Sequence, residues 1–208
     1  MRNLLCKAAL LLLLAPLAGP QRAAAQGYVK LNALYALVGV VNPSVEFAVS
    51  PKSTLQTDIV VSPWKSINNK HMLFAIFMGE YRRYFKEHNR GWYLGANLGM
   101  MAFDMSKPYI ENWSLKFEDR YCKGYGMMIG LCVGWEYRFR ERWLVDAYFG
   151  WAWMDSHYNG YSFEGETDMY PHRPEQPEFP DPFNGSSEWY PNKIGVSIGY
   201  RIFKPRER

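Results

Sequence analysis

The stretch Gly124–Phe139, which reads GYGMMIGLCVGWEYRF, decides the fold class. Its odd-numbered positions are all apolar or aromatic, whereas its even-numbered positions are mostly small and include Glu136 and Arg138. Successive side chains of a β-strand point to opposite faces, so this alternation predicts a long strand with one apolar and one polar face. An amphipathic helix would need a period near 3.6 residues and is excluded.

The same alternation recurs before and after this stretch and indicates eight candidate strands. They begin near Val29, Val45, Leu55, Met72, Trp92, Gly124, Leu144 and Lys193. Tight connections at 50–53, 86–91 and 140–142 alternate with longer ones at 63–71, 105–122 and 156–189, as in transmembrane barrels with short periplasmic turns and long outer loops. The sequence therefore predicts an all-β fold: an eight-stranded antiparallel transmembrane β-barrel, an OmpA/OmpX-like up-and-down meander.

The first 25 residues have the order of a secretory signal peptide. Arg2 and Lys7 precede an apolar run, and Ala23–Ala25 supply a small-residue cleavage site. We expect cleavage before Gln26, a mature barrel domain over 26–208, and localisation in the cell outer membrane. Three of the cations behind the formal charge of +4 leave with the peptide. The mature chain is then close to neutral, which gives no reason to expect nucleic acid as a partner.

Alternation alone fits both a membrane barrel and a water-soluble barrel, which place the polar face on opposite sides. Glycine falls almost entirely on the polar parity, as expected where backbones crowd a narrow interior. Aromatic residues gather near strand ends on the apolar parity, which resembles interfacial girdles. The last strand ends in Phe203, and a terminal aromatic residue is typical of substrates of the barrel-assembly machinery. These features favour the membrane barrel, with outer-membrane lipid as its surroundings.

Ten charged residues on the polar parity predict an ion-pair network inside the barrel. They are Lys30, Glu46, Asp58, Glu80, Arg82, Glu136, Arg138, Asp146, Lys193 and Arg201. An eight-stranded barrel has an interior just wide enough for side chains to fill, and buried charges must be paired. We therefore expect a plugged, salt-bridged structural core and no open pore.

Several short motifs, taken in order, resemble the domain-of-unknown-function 3575 family (DUF3575) of predicted outer-membrane barrels from Bacteroidota. The resemblance covers roughly Tyr28 to Phe203. The motifs are Lys30–Tyr35, Pro43 with Glu46-Phe47, Pro63-Trp64, Glu80-x-Arg82-x-x-Phe85, Glu141–Trp143 with Asp146, and Pro191-x-Lys193-x-Gly195–Ser197. The resemblance implies a barrel without assigned enzymology and a link to surface or fimbrial assembly. It implies no active site.

Other chemistry is weakly indicated. Asp155-Ser156-His157 suggests a hydrolase, because some small outer-membrane barrels hydrolyse lipid A with Ser and His, but adjacent strand residues point to opposite faces. Acidic residues in loop 156–189 could attract calcium, yet they lack regular ligand spacing and are interrupted by prolines. Four scattered histidines show no metal-ligand spacing.

Cys122 and Cys132 lie about 33 Å apart if both are on one strand, so we expect two unbridged thiols.

We therefore expect no catalytic residues, no cofactor and no metal, and three functions remain open. The first is a structural or surface-interaction barrel that displays loops 105–122 and 156–189 to an unknown extracellular or periplasmic protein partner. The second is an enzyme that modifies envelope lipid. The third is a soluble periplasmic barrel that binds a ligand.

Overall fold

The computed structural model describes residues 26–67, 70–106, 108–117, 120–140, 142–162, 169–170 and 184–203. The predicted signal peptide lies outside the described residues. The elements are β1 (Gly27–Asn32), α1 (Ala33–Leu37), β2 (Pro43–Ser50), β3 (Ser53–Ile67), β4 (Lys70–Tyr84), β5 (Gly91–Met105), β6 (Pro108–Glu111), β7 (Ser114–Phe117), β8 (Arg120–Phe139), β9 (Trp143–Ser162), β10 (Met169–Tyr170) and β11 (Asn184–Phe203).

Eight of these strands form one closed, ring-like antiparallel sheet. The order β9-β11-β1-β2-β3-β4-β5-β8 is completed by pairing of β8 with β9, so each of the eight strands has two neighbours. β6 and β7 form a separate two-stranded hairpin, and β10 pairs with β9 beyond the part of β9 that pairs with β11. The all-β class and the eight antiparallel strands predicted from the sequence are confirmed.

The ring has two distinct ends. Gly27 pairs with Phe203, so the first and last strands meet at one end. This turn end also carries the short connections at 51–52, 85–90 and the one between Phe139 and Trp143. The opposite, loop end carries α1 and the connections that contain the β6–β7 hairpin and β10.

The polar face of the alternating strands points into the ring. On β8, the side chain of Leu131 is 71% exposed and that of Ile129 is 58% exposed, whereas Glu136 is fully buried. On β4, Arg82 is fully buried between two exposed neighbours, Tyr81 and Arg83. The predicted orientation, with apolar side chains outside and charged side chains within, is confirmed.

The first strand is shorter than the apolar–polar alternation in the sequence, which continues from Val29 to Tyr35 and predicts a strand of that length. It ends at Asn32, whose side chain accepts hydrogen bonds from the backbone N–H groups of Leu34 and Tyr35 and caps the short helix α1. Asparagine is a preferred N-cap residue, and the following Ala-Leu-Tyr-Ala-Leu contains good helix formers. Among the residues that the structure describes, no helix is long and apolar enough to cross a membrane.

The strands also run further toward the loop end than the alternation suggested. β3 and β4 extend through most of the predicted connection 63–71, β9 reaches Ser162 and β11 begins at Asn184. These extensions carry polar residues on both faces, so the apolar–polar signal fades there. The backbone ladder nevertheless continues, because it does not depend on side-chain polarity.

Candidate functional site

The interior of the ring divides into two compartments. The charged compartment lies toward the turn end and consists of Lys30, Glu46, Asp58, Glu80, Arg82, Glu136, Asp146 and Lys193, each at most 5% exposed. The methionine-rich compartment lies toward the loop end. It consists of Met78, Met101, Met128 and Ala152, with Phe74, Ile76, Phe103, Met105, Met154 and Tyr190 packed against them.

Arg82 is the centre of the charged compartment. Its Nε donates to Glu80 Oε1 at 2.5 Å, and its Nη1 donates to Asp146 Oδ2 at 2.8 Å and to Glu136 Oε1 at 3.1 Å. Its guanidinium carbon also lies 4.5 Å from the centroid of the Tyr93 ring. A planar guanidinium with several donors suits this arrangement, in which one cation bridges carboxylates from three strands.

Two lysines complete the ion-pair network. Lys30 Nζ lies 2.9 Å from Asp146 Oδ2 and also contacts the carboxylates of Glu46 and Glu136. Lys193 Nζ donates to Asp58 Oδ2 and to Glu80 Oε2, both at 2.6 Å. Because these contacts join β1 to β8 and β11 to β4, they connect strands that are three and four places apart around the eight-stranded ring.

Neutral side chains that were not predicted from the sequence donate further hydrogen bonds to the carboxylates of the charged compartment. Tyr93 donates to Asp146 Oδ1 at 2.9 Å and Tyr84 donates to Glu46 Oε1 at 2.8 Å. Asn89, from the turn before β5, is 1% exposed and donates to Glu136 Oε2 at 3.0 Å. Its φ of 57° is a conformation that asparagine adopts more readily than most residues. The asparagine in the predicted tight turn 86–91 is the sequence feature that could have indicated this residue.

The structure brings together eight of the ten predicted network residues and corrects the other two. Arg138 pairs with Glu87 at the turn end, with an Nη2–Oε1 distance of 2.5 Å, and Arg201 is only half-buried. Slight burial would raise the pKa of the Glu87 carboxyl, but hydrogen bonds and charges from Arg90 and Arg138 lower it. Both arginines have the inward parity, but they lie too near the strand ends to reach the charged compartment.

This correction changes the charge balance that the sequence suggested. Five cations were expected against five carboxylates, but the charged compartment contains three cations and five carboxyl groups. The compartment is therefore acidic when all its carboxyls are ionised. Each cation is shared by two or more carboxylates, so the loss of a single cation affects several partners at once.

The methionine-rich compartment borders a cavity of about 270 Å³ that is partly open to the outside, which we call the loop-side cavity. It is lined by Met101, Phe103, Met105, Cys122, Met154, Ser156, Tyr158, Ser186, Glu188 and Tyr190. Its inner wall meets the buried core of the compartment, where the Tyr190 hydroxyl donates to Met128 Sδ at 3.4 Å.

The part of β11 that precedes a β-bulge supplies one wall of this cavity. The pairing with β9 shifts between Pro191 and Lys193, and the extra residue, Asn192, is buried together with Lys193. The inward parity therefore changes from even to odd numbers across the bulge. Ser186 and Glu188 belonged to the predicted loop 156–189, and Tyr190 lay between that loop and the last predicted strand, so these three wall residues were not predicted. Pro191 could have indicated the bulge, because proline inside a sheet is confined to edges and bulges.

The structure separates the suspected hydrolytic residues. Ser156 is buried inside the ring and its Oγ lies 3.1 Å from Ser186 Oγ, whereas His157 is exposed on the outside and stacks on Tyr125. A serine and histidine on opposite faces cannot share the hydrogen bond that activates a nucleophile. Cys122 and Cys132 are not bridged to each other, as predicted.

Within the described ranges, no group of three or more His, Cys, Asp or Glu side chains could hold a metal ion. Most of the acidic loop considered for calcium lies outside the described residues.

The family model described as "Protein of unknown function (DUF3575)" matches residues 8–202. The chain belongs to the DUF3575 family. The match spans all eight strands of the ring almost completely, so the family assignment applies to the whole sheet. Neither the curated proteins nor the solved structures contained a match.

Proposed function

We propose that this DUF3575 protein is an outer-membrane β-barrel of structural or surface-interaction type. The observation that carries the proposal is an apolar outer surface around an ionic interior. On β8 the outward side chains from Met127 to Trp135 are all apolar and exposed. This run matches the roughly 9–11 residues of a tilted strand that crosses a bilayer. Such a continuous apolar surface would be a severe aggregation hazard in water.

Aromatic side chains at both limits of the apolar band support the same location. Toward the turn end, the outward residues Tyr81, Phe85, Trp92, Tyr137 and Trp143 are exposed, and toward the loop end Trp64, Tyr125, Trp153 and Trp189 are exposed. Aromatic rings of this kind are enriched at the two membrane–water interfaces. The proposed topology has the turn end in the periplasm and the loop end outside the cell.

The proposed role is display of the loop end, which includes the β6–β7 hairpin and the extended ends of β9 and β11. The filled charged compartment supports a closed barrel and opposes a transport pore. The proposal includes a signal peptide cleaved before Gln26, recognition by the barrel-assembly machinery, and an origin in Bacteroidota, as the resemblance implies. A contribution to surface or fimbrial assembly fits this exposed loop end.

Envelope fractionation combined with surface proteolysis tests the location. We expect the protein in the outer-membrane fraction, with an N-terminus at Gln26, cleavage only in loop-end segments of intact cells, and altered gel mobility after boiling. Recovery of the protein in the soluble periplasmic fraction without detergent would refute the membrane location and favour the soluble ligand-binding barrel.

The envelope-enzyme alternative is tested separately by the mass spectrum of lipid A after deletion of the gene. Because Ser156 and His157 are on opposite faces, we expect an unchanged spectrum. Loss or gain of an acyl chain that depends on Ser156 would refute the non-catalytic role.

A further inference from the structure

The loop-side cavity is too large to be a packing defect. A second space inside the ring, next to Asp58 and Lys193, measures only about 10 Å³, whereas the loop-side cavity measures about 270 Å³. Protein interiors rarely leave voids larger than a water molecule. The ring is therefore closely packed beside Asp58 and Lys193, whereas toward the loop end it has a wider, partly open cavity with space for a ligand.

The lining indicates an apolar ligand. Three flexible thioether side chains, Met101, Met105 and Met154, share the wall with the rings of Phe103, Tyr158 and Tyr190. Methionine adapts its shape and makes favourable contacts between sulfur and aromatic rings, so it is common at surfaces that bind varied apolar groups. Aromatic rings add flat contact surfaces with preferred stacking distances.

The polar groups of the lining favour an uncharged ligand over an acid. They are the hydroxyls of Ser156 and Ser186, the thiol of Cys122 and the carboxylate of Glu188, together with the tyrosine hydroxyls. The described lining contains no lysine, arginine or histidine. An acid would therefore meet no basic side chain among the described lining residues, and burying its charge without one is unfavourable. A hydroxyl group, in contrast, can exchange hydrogen bonds with the serines.

The volume sets the size of the ligand. An apolar protein cavity of about 150 Å³ is large enough to bind benzene, so one of about 270 Å³ has room for two fused rings. Pockets for drug-sized ligands usually measure roughly 300–1,000 Å³, so this cavity is slightly below that range. We propose that the loop-side cavity binds a small, uncharged aromatic molecule of about two rings, with a hydroxyl group directed toward Ser156 and Ser186. The site lies inside the ring, so it does not depend on the membrane location.

Binding of 2-naphthol and 2-naphthoate at pH 7 tests this proposal. The two probes share a ring system, but the first is neutral and the second is an anion. The full mature protein is titrated in lipid nanodiscs, with empty nanodiscs as the background, or in buffer alone if it is recovered without detergent. We expect saturable binding of one 2-naphthol per chain and at least about tenfold weaker binding of 2-naphthoate, because burying an unpaired charge is costly.

Matched variants locate the binding site. Ser156→Phe places a ring inside the cavity and should abolish binding of 2-naphthol. His157→Phe places the same ring on the outer face of the same strand, where it still stacks on Tyr125, and should leave binding unchanged. Ser186→Phe fills the cavity from β11 and provides the same test if the Ser156→Phe protein does not fold. The proposal is overturned if 2-naphthol does not bind saturably, if 2-naphthoate binds equally well, or if binding survives the filling substitution.

Discussion

Replacement of Arg82 by alanine is the sharpest test of the charged compartment. Arg82 contacts four carboxylates, those of Glu46, Glu80, Glu136 and Asp146, with nitrogen–oxygen distances between 2.5 and 3.5 Å, and every one of these side chains is fully buried. Removing the partner of a buried ion pair costs about 3–5 kcal/mol, because the remaining charge is left without compensation. Lost contact with the Tyr93 ring adds to this cost. We therefore expect a loss of at least 3–5 kcal/mol in the free energy of unfolding.

Urea unfolding in detergent micelles measures this loss through tryptophan fluorescence and the mobility of unboiled protein on a gel. With a urea dependence near the upper end of about 1–3 kcal/mol per molar, the midpoint should fall by on the order of 1–2 M. Arg82→Lys keeps one charge but loses the planar, multiple donors, so its midpoint should lie between those of the wild type and Arg82→Ala. The lysine variant also provides a result if the alanine variant does not fold.

Arg138→Ala is the matched control, because it removes an arginine of the same inward parity that is paired outside the charged compartment. Its partner Glu87 is about half exposed, and such pairs contribute about 0–1 kcal/mol. We expect little change in its midpoint. A wild-type midpoint for Arg82→Ala, or an equal loss in both variants, would show that the network does not stabilise the ring.

Three further predictions concern packing, orientation and the thiols. Gly134→Ala should destabilise the protein by about 1–3 kcal/mol in the same urea titration, because the new Cβ would lie 2.4 Å from the Tyr93 ring. Gly79→Ala is the control and should be neutral or slightly stabilising, because a Cβ there would have no atom within 4 Å. Leu131→Lys should cost about 2–4 kcal/mol in lipid vesicles if this outward residue lies near the bilayer midplane, and full stability of the variant would contradict the membrane location. Unreduced, denatured protein should react with two equivalents of iodoacetamide, at Cys122 and Cys132, and a mass showing unmodified cysteines would contradict the absence of a disulfide.

Local alternation in the sequence was sufficient to predict the strands and the direction of their faces. A period of two needs no knowledge of distant residues, because the strand backbone itself turns each side chain to the opposite side. Glycines on the polar parity reinforced the assignment, and Gly134 shows the reason, since the Tyr93 ring occupies the space beside it. Where both faces are polar, as beyond Ser156 on β9, the signal was lost and the strand was taken for a loop.

The two compartments were decided only by the tertiary structure. Lys30 and Glu136 are 106 positions apart in the sequence, and their contact depends on the register of every strand pair around the closed ring. Parity predicted that Arg138 points inward, but not that it lies too far along the strand to join Arg82. The bulge at Asn192 reverses the parity of β11 and turns Ser186 and Tyr190 into the wall of the loop-side cavity. The face to which a side chain points is fixed locally by the strand. Its position along the axis of the ring and its neighbours depend on how all eight strands are staggered against one another.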